Sequence, residues 1–102
     1  MLQVLRSQHF DRWLKGLKDA RAIARIVARL RSFELGNFGD CKPIKSKVWE
    51  LRIHYGPGYQ VYYTQSGSVA YLLLVGGTKS SQPEDIEEAI RLAKEIHKES
   101  KL

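Results

Sequence analysis

A chain of 102 residues, 43% hydrophobic and 27% charged, has the size and balance of one soluble domain with one core, spanning residues 1–102. Lys plus Arg number 17 against 11 Asp plus Glu, a net charge of +6 that invites polyanionic partners. The lone cysteine, Cys41, allows no internal disulfide and no cysteine-held zinc, and no apolar run approaches the roughly 18–20 residues of a membrane span, which sets aside secreted scaffolds, zinc fingers and membrane proteins.

The opening MLQVLRSQHFDRW carries charge where a signal peptide needs an apolar stretch, so a cytoplasmic protein is expected. Residues 2–5 read as a short first strand. Ser7 can cap a helix whose apolar face is Phe10, Trp13, Leu14 and Leu17, at helical spacing. Gly16 and Asp19 end that helix and start a second, with Ile23, Ile26, Val27, Leu30 and Phe33 on its face. Gly36 and Asn37 stop it. The short connection predicts a helical hairpin.

The period then drops to two. Trp49, Leu51, Ile53 and Tyr55 share one face of a strand, and Glu50, Arg52 and His54 the other. After the turn Gly56-Pro57-Gly58 comes a strand from Tyr59 to Thr64. A turn at Ser66-Gly67-Ser68 leads to Val69–Val75, apolar on both faces and so read as the central strand. Lys42–Ile44 adds a short strand before these. Gly76-Gly77 ends the sheet, and Ser81-Gln82-Pro83-Glu84 has the spacing of a capping box for a last helix reaching about His97. The expectation is an α+β domain: a small twisted antiparallel sheet, an N-terminal helical hairpin packed on one face, and a C-terminal helix.

Common catalytic templates are missing. No glycine-rich loop precedes a phosphate-binding Lys-Ser/Thr, and no cofactor is implied. His9, His54 and His97 fall in three different elements, so no metal site is expected. The alternation instead gathers Glu50, Arg52 and His54 beside Gln60, Tyr62 and Thr64, with Lys79 at the strand end and Lys42, Lys45 and Lys47 leading in. Such a face can hold RNA, cations fixing phosphates and tyrosines stacking on bases. A solvated outer sheet face shows the same pattern. Arg21, Arg25 and Arg29 stripe the second helix and read as a partner dock or as its solvated side. Trp13 and Trp49 read as core, and Cys41 as inert.

Three stretches carry a likeness. They are FDRWLKGLKDARAIARIVARLRSFELGNFGD (10–40), GNFGDCKPIKSKVWELRIHYGPGYQVYY (36–63) and LLLVGGTKSSQPEDIEEA (72–89). Together they resemble the phage- and plasmid-type addiction-module killer proteins, HigB-like toxins of the RelE/ParE superfamily, over about residues 8–95. The resemblance implies a ribosome-dependent, metal-independent mRNA endonuclease that inhibits translation. Its implied partners are mRNA on the ribosome and a cognate protein antitoxin of the helix-turn-helix type. Carried over, Arg52 of ELRI and Lys79 of GGTK match the family's cationic catalytic positions, with His54 beside them. Lys42, Lys45 and Lys47 match its lysine-rich approach, and Gln60 and Tyr62 lie on the RNA-binding face. Two positions depart: Gln60 stands where the family's GPGYR has arginine, and Thr78 where aspartate is usual. One superfamily fold serves several functions, so a ParE-like inhibitor of DNA gyrase without RNA cleavage, or an attenuated nucleic-acid-binding relative, stands as the alternative.

Overall fold

In the computed structural model, which describes residues 2–68 and 70–99, the elements follow in the order β1 (Gln3–Arg6), α1 (Gln8–Gly16), α2 (Ala20–Glu34), β2 (Cys41–Pro43), β3 (Val48–Ile53), β4 (Tyr59–Ser66), β5 (Ala70–Thr78), a 3₁₀ turn (Lys79–Ser81) and α3 (Gln82–Glu99). Local signals act as expected at the helix ends. Ser7 Oγ accepts from Phe10 N, and Asp19 accepts from Arg21 N and Ala22 N, satisfying backbone donors that a first turn leaves unpaired. Past α2, Gly36 takes φ 92°, a left-handed value suited to glycine, and the chain leaves the helix. No helix among the described residues is long and apolar enough to cross a membrane.

The five strands form one sheet in the order β1-β5-β4-β3-β2. β2 to β5 are an antiparallel meander, but β1 runs parallel to β5, so the sheet is mixed rather than antiparallel. The cause is the connection: α1 and α2 carry the chain from β1 to β2 at the opposite edge of the sheet, and the meander from there brings β5 back beside β1. The central strand is β4; β5 is its inner neighbour. Val69, expected at the start of β5, lies outside the described residues.

Helices cover both faces of the sheet, not one. Phe10, Ile26, Leu30 and Phe33 from α1 and α2 pack with Leu51, Ile53, Val61, Tyr63 and Leu73. On the opposite face Ala89 and Ala93 of α3 pack with Val48, Tyr62, Leu74 and Val75. A bulge makes the second set possible: Tyr62 pairs with Val75 but Tyr63 with Leu73, so Leu74 is the extra residue and both Leu74 and Val75 join the core under α3. Ser7 ties this irregularity down, its hydroxyl donating to Leu74 O (2.5 Å) and its N–H to Leu73 O (2.9 Å).

Gly76 and Gly77 do not end the sheet; they lie inside β5, where each makes room for a side chain. A Cβ at Gly76 would stand 2.2 Å from the Trp13 ring, and one at Gly77 would stand 1.8 Å from Asp85 Oδ2. Trp49, expected in the core, is 40% exposed and stacks on Tyr63. The box expected at Ser81–Glu84 lies three residues earlier, where Thr78 N donates to Ser81 Oγ (3.3 Å), and the Ser81 hydroxyl donates to Asp85 Oδ2 (2.6 Å).

Candidate active site

Where β3 ends and β4 begins, the sheet opens into a cleft of about 490 Å³, lined among others by Lys42, Glu50, Arg52, His54, Gln60, Lys79 and Gln82. Register explains the convergence. Glu50 and Arg52 are two residues apart and so share a face of β3. Lys42 of β2 pairs with Glu50, and Gln60 of β4 pairs with Arg52 on one side and Gly77 on the other. The 3₁₀ turn adds Lys79, and the first turn of α3 adds Gln82. The Gly56–Gly58 turn forms the rim. Gly58, at φ 82°, lies under the aliphatic stem of Lys79, where a Cβ would stand 3.3 Å from Cε.

Glu50 anchors the cleft. It is 1% exposed, and a buried carboxylate needs charged or hydrogen-bonding partners. Arg52 Nε donates to Oε2 (2.8 Å) and Gln82 Nε2 donates to Oε1 (2.7 Å). Arg52 is thereby held by one nitrogen, and its terminal NH₂ groups make no hydrogen bond among the described residues. The Glu50 hydrogen bond holds the guanidinium in its charged form. Lys42 and Lys79 are exposed and form no ion pair among the described residues.

His54 stands at the rim and donates through Nε2 to Asp40 Oδ2 (2.6 Å). That hydrogen bond, helped by the charges of Arg52, His54 and Arg29, keeps the Asp40 carboxyl below its ordinary range. Arg29 is a brace, not a free member of a basic stripe: its guanidinium donates to Arg52 O and Phe38 O. Arg25 lies over the Tyr55 ring, 5.2 Å from its centre.

The cleft thus unites Arg52, Lys79, His54, Lys42 and Gln60. Three expectations need correction. Tyr62 cannot stack on a base, since it is fully buried beneath α3; burial drives its phenol well above the ordinary range. Gln60 is 4% exposed, part of the floor rather than an open contact, and its Oε1 has no hydrogen-bond partner among the described residues. Lys45 and Lys47 sit at the β2–β3 turn, away from the lining. Sequence reasoning assigned no role to Glu50, Gln82 or Asp40. For Glu50 a signal exists: it is the only acid among residues 41–81 and stands two before Arg52. Among the described residues no group of three or more His, Cys, Asp or Glu is placed to hold a metal ion.

No family model matches the chain. A Haemophilus influenzae protein described as uncharacterized is 44% identical over 95 residues, covering 93% of this chain and 96% of its own length.

Proposed function

The chain belongs to one family with the Haemophilus influenzae protein, and from the geometry of its cleft we propose that it is a metal-independent RNA endonuclease. In this reading it is a HigB-like toxin of RelE/ParE type, with α1 and α2 as that family's helical hairpin. It cuts mRNA on the translating ribosome and is silenced by a cognate protein antitoxin. The observation that carries the reading is the convergence of Arg52, Lys79 and Lys42 on one cleft, with Arg52 held by a buried carboxylate.

The chemistry follows from the charges. The ribose 2′-oxygen attacks the adjacent phosphorus, the P–O5′ bond breaks, and a 2′,3′-cyclic phosphate and a 5′-hydroxyl result. Negative charge builds on the non-bridging oxygens in the transition state. Fixed cations at those oxygens need no reorganisation, and one well-placed donor is worth about 2.7–4 kcal/mol. Arg52 is the fixed cation, and Lys79 and Lys42 supply charge from the opposite walls. His54, whose Nε2–H is held by Asp40, delivers a proton from Nδ1 to the departing 5′-oxygen, while the 2′-hydroxyl proton passes to solvent and solvent returns a proton to the ring.

The test adds the purified protein to translating ribosomes and maps mRNA 5′ ends by primer extension, with DNA gyrase supercoiling assayed in parallel. New ends within the reading frame and a cyclic phosphate on the upstream fragment are expected. Intact mRNA with blocked supercoiling would replace this reading with the ParE-like one.

A further inference from the structure

The opposite end of the β3–β4 pair carries a second cationic surface. One hollow of about 360 Å³ is lined by Ser46, Lys47, Lys94, His97 and Lys98. A neighbouring one of about 400 Å³ shares Lys47 and His97 and extends to Trp49 and Gln65. Among the described residues no carboxylate lines either, and Lys47, Lys94 and Lys98 form no ion pair. The surface lies roughly 17 Å from Arg52, counting along β3 at about 3.4 Å per residue.

Two features set it apart from a patch of solvated lysines. Lys47 is held against its backbone preference. Ser46 and Lys47 have φ 53° and 65°, and Val48 N donates to Lys45 O (2.9 Å), so they are the central pair of a hairpin turn that favours Asn-Gly. A lysine there sacrifices stability for a side chain, and such strain points toward function. Trp49 shares the second hollow with Lys47 from the sheet face opposite α3, so the surface wraps the end of the sheet; 40% exposed and backed by the stacked Tyr63 ring, it offers a large aromatic surface where a core residue was expected. Lysines next to an exposed aromatic and an amide match the needs of a single nucleic-acid strand. An acidic peptide would meet the lysines and leave the indole unmatched.

We propose that this end of the sheet is a second RNA-contacting surface, in which Lys47, Lys94 and Lys98 hold backbone phosphates of a single strand and Trp49 stacks on a base. The choice of RNA rests on the proposed function; the surface itself rests on the turn, the lysines and the tryptophan.

The test is the binding of a fluorescein-labelled single-stranded 2′-O-methyl oligonucleotide, which lacks the attacking hydroxyl, followed by anisotropy over a salt series. The Lys47→Gln/Lys94→Gln/Lys98→Gln variant, with an unchanged thermal midpoint, should bind at least tenfold more weakly. Its slope of log affinity against log salt should be shallower by about 2, at about 0.7 per phosphate contact. Trp49→Leu should weaken binding about tenfold and abolish the quenching of indole emission on binding. Lys47→Gly should raise the thermal midpoint while lowering affinity. Unchanged affinity and slope in the folded triple variant would overturn the proposal. So would a polyglutamate peptide that binds with the same lysine and Trp49 dependence while the oligonucleotide does not bind. If the wild type cuts mRNA but the triple variant binds normally, the surface fails and the endonuclease reading stands. If the variants lose binding but the wild type leaves mRNA intact, the surface stands and the endonuclease reading fails.

Discussion

The two ends of the β3–β4 pair carry the same kind of charge in different states of order. At the cleft, Arg52 is clamped by Glu50, His54 is held by Asp40, and the Lys79 stem lies across Gly58. At the far end Lys47, Lys94 and Lys98 project with no ion-pair partner among the described residues. A clamped cation keeps one position and can favour a transition state over a ground state. A loose cation follows a phosphate wherever it lies and contributes binding. Order, more than charge, separates a place for chemistry from a place for holding.

The comparison breaks most severely at Arg52. A surface arginine is expected to tolerate alanine without harm to the fold, but the buried Glu50 changes that. Arg52→Ala leaves the buried Glu50 carboxylate without its charged partner, the largest loss of stability expected of these single substitutions. Chemical denaturation should show that loss, whereas Lys94→Ala at the far end should change stability by less than about 0.5 kcal/mol.

Gly77 tests how the cleft is assembled. Its missing side chain lets Asp85 lie against β5, and with it Ser81 and the start of α3 that supplies Gln82. Gly77→Ala should cost about 1–3 kcal/mol by overpacking. The midpoint of thermal unfolding checks this, and an unchanged midpoint would mean that α3 docks without Gly77.

Gln60→Arg sharpens the contrast from the other side. It places a second guanidinium across from Arg52 and removes the unpartnered Oε1 in the floor. The floor is closed at this position, so the longer side chain must rise from it into the cleft to escape burial; a charge-assisted contact is roughly twice as strong as a neutral one, so in a folded variant cleavage should rise about tenfold. A lower rate in a folded variant would mean that the floor needs the neutral amide.

The smallest expected effect is in acid. The folded-state carboxyl of Asp40 is held low, so its contribution to stability is present above its ordinary value of 3.8 and is lost as pH falls through the depressed one. Asp85 runs the other way: burial raises it, so its contribution is full below 3.8 and fades as pH rises through the raised value. Asp40→Asn should flatten the acid limb of stability against pH below about 4, and Asp85→Asn should flatten the slope above it. Denaturation midpoints across pH 2–6 measure both.

What could be read in advance was local. The caps at Ser7 and Asp19, the helical faces ending at Phe33 and the alternation from Trp49 to Tyr55 each depend on neighbours a few residues away. The parallel pairing of β1 with β5 depends on partners more than sixty residues apart. The decisive gap was the cover of α3. A polar residue at an alternating position looks the same whether solvent or a helix lies above it. Glu50, Gln60, Tyr62 and Thr64 therefore read as an open face, while Lys42, Arg52, His54 and Lys79 kept the access to the cleft that their sequence positions promised. Trp49 failed in reverse: its place in the alternation promised burial, but it stands near the start of β3, 40% exposed and stacked on Tyr63.

The most direct test of the central claim removes the clamped cation without stranding its partner. In the Glu50→Gln/Arg52→Gln double variant, no buried charge is left alone, so circular dichroism and the thermal midpoint should remain close to wild type. Cleavage of mRNA on translating ribosomes, followed by primer extension, should then fall by about 100- to 1,000-fold, the loss expected of one preorganised donor. A folded double variant that cuts as fast as wild type would contradict the account.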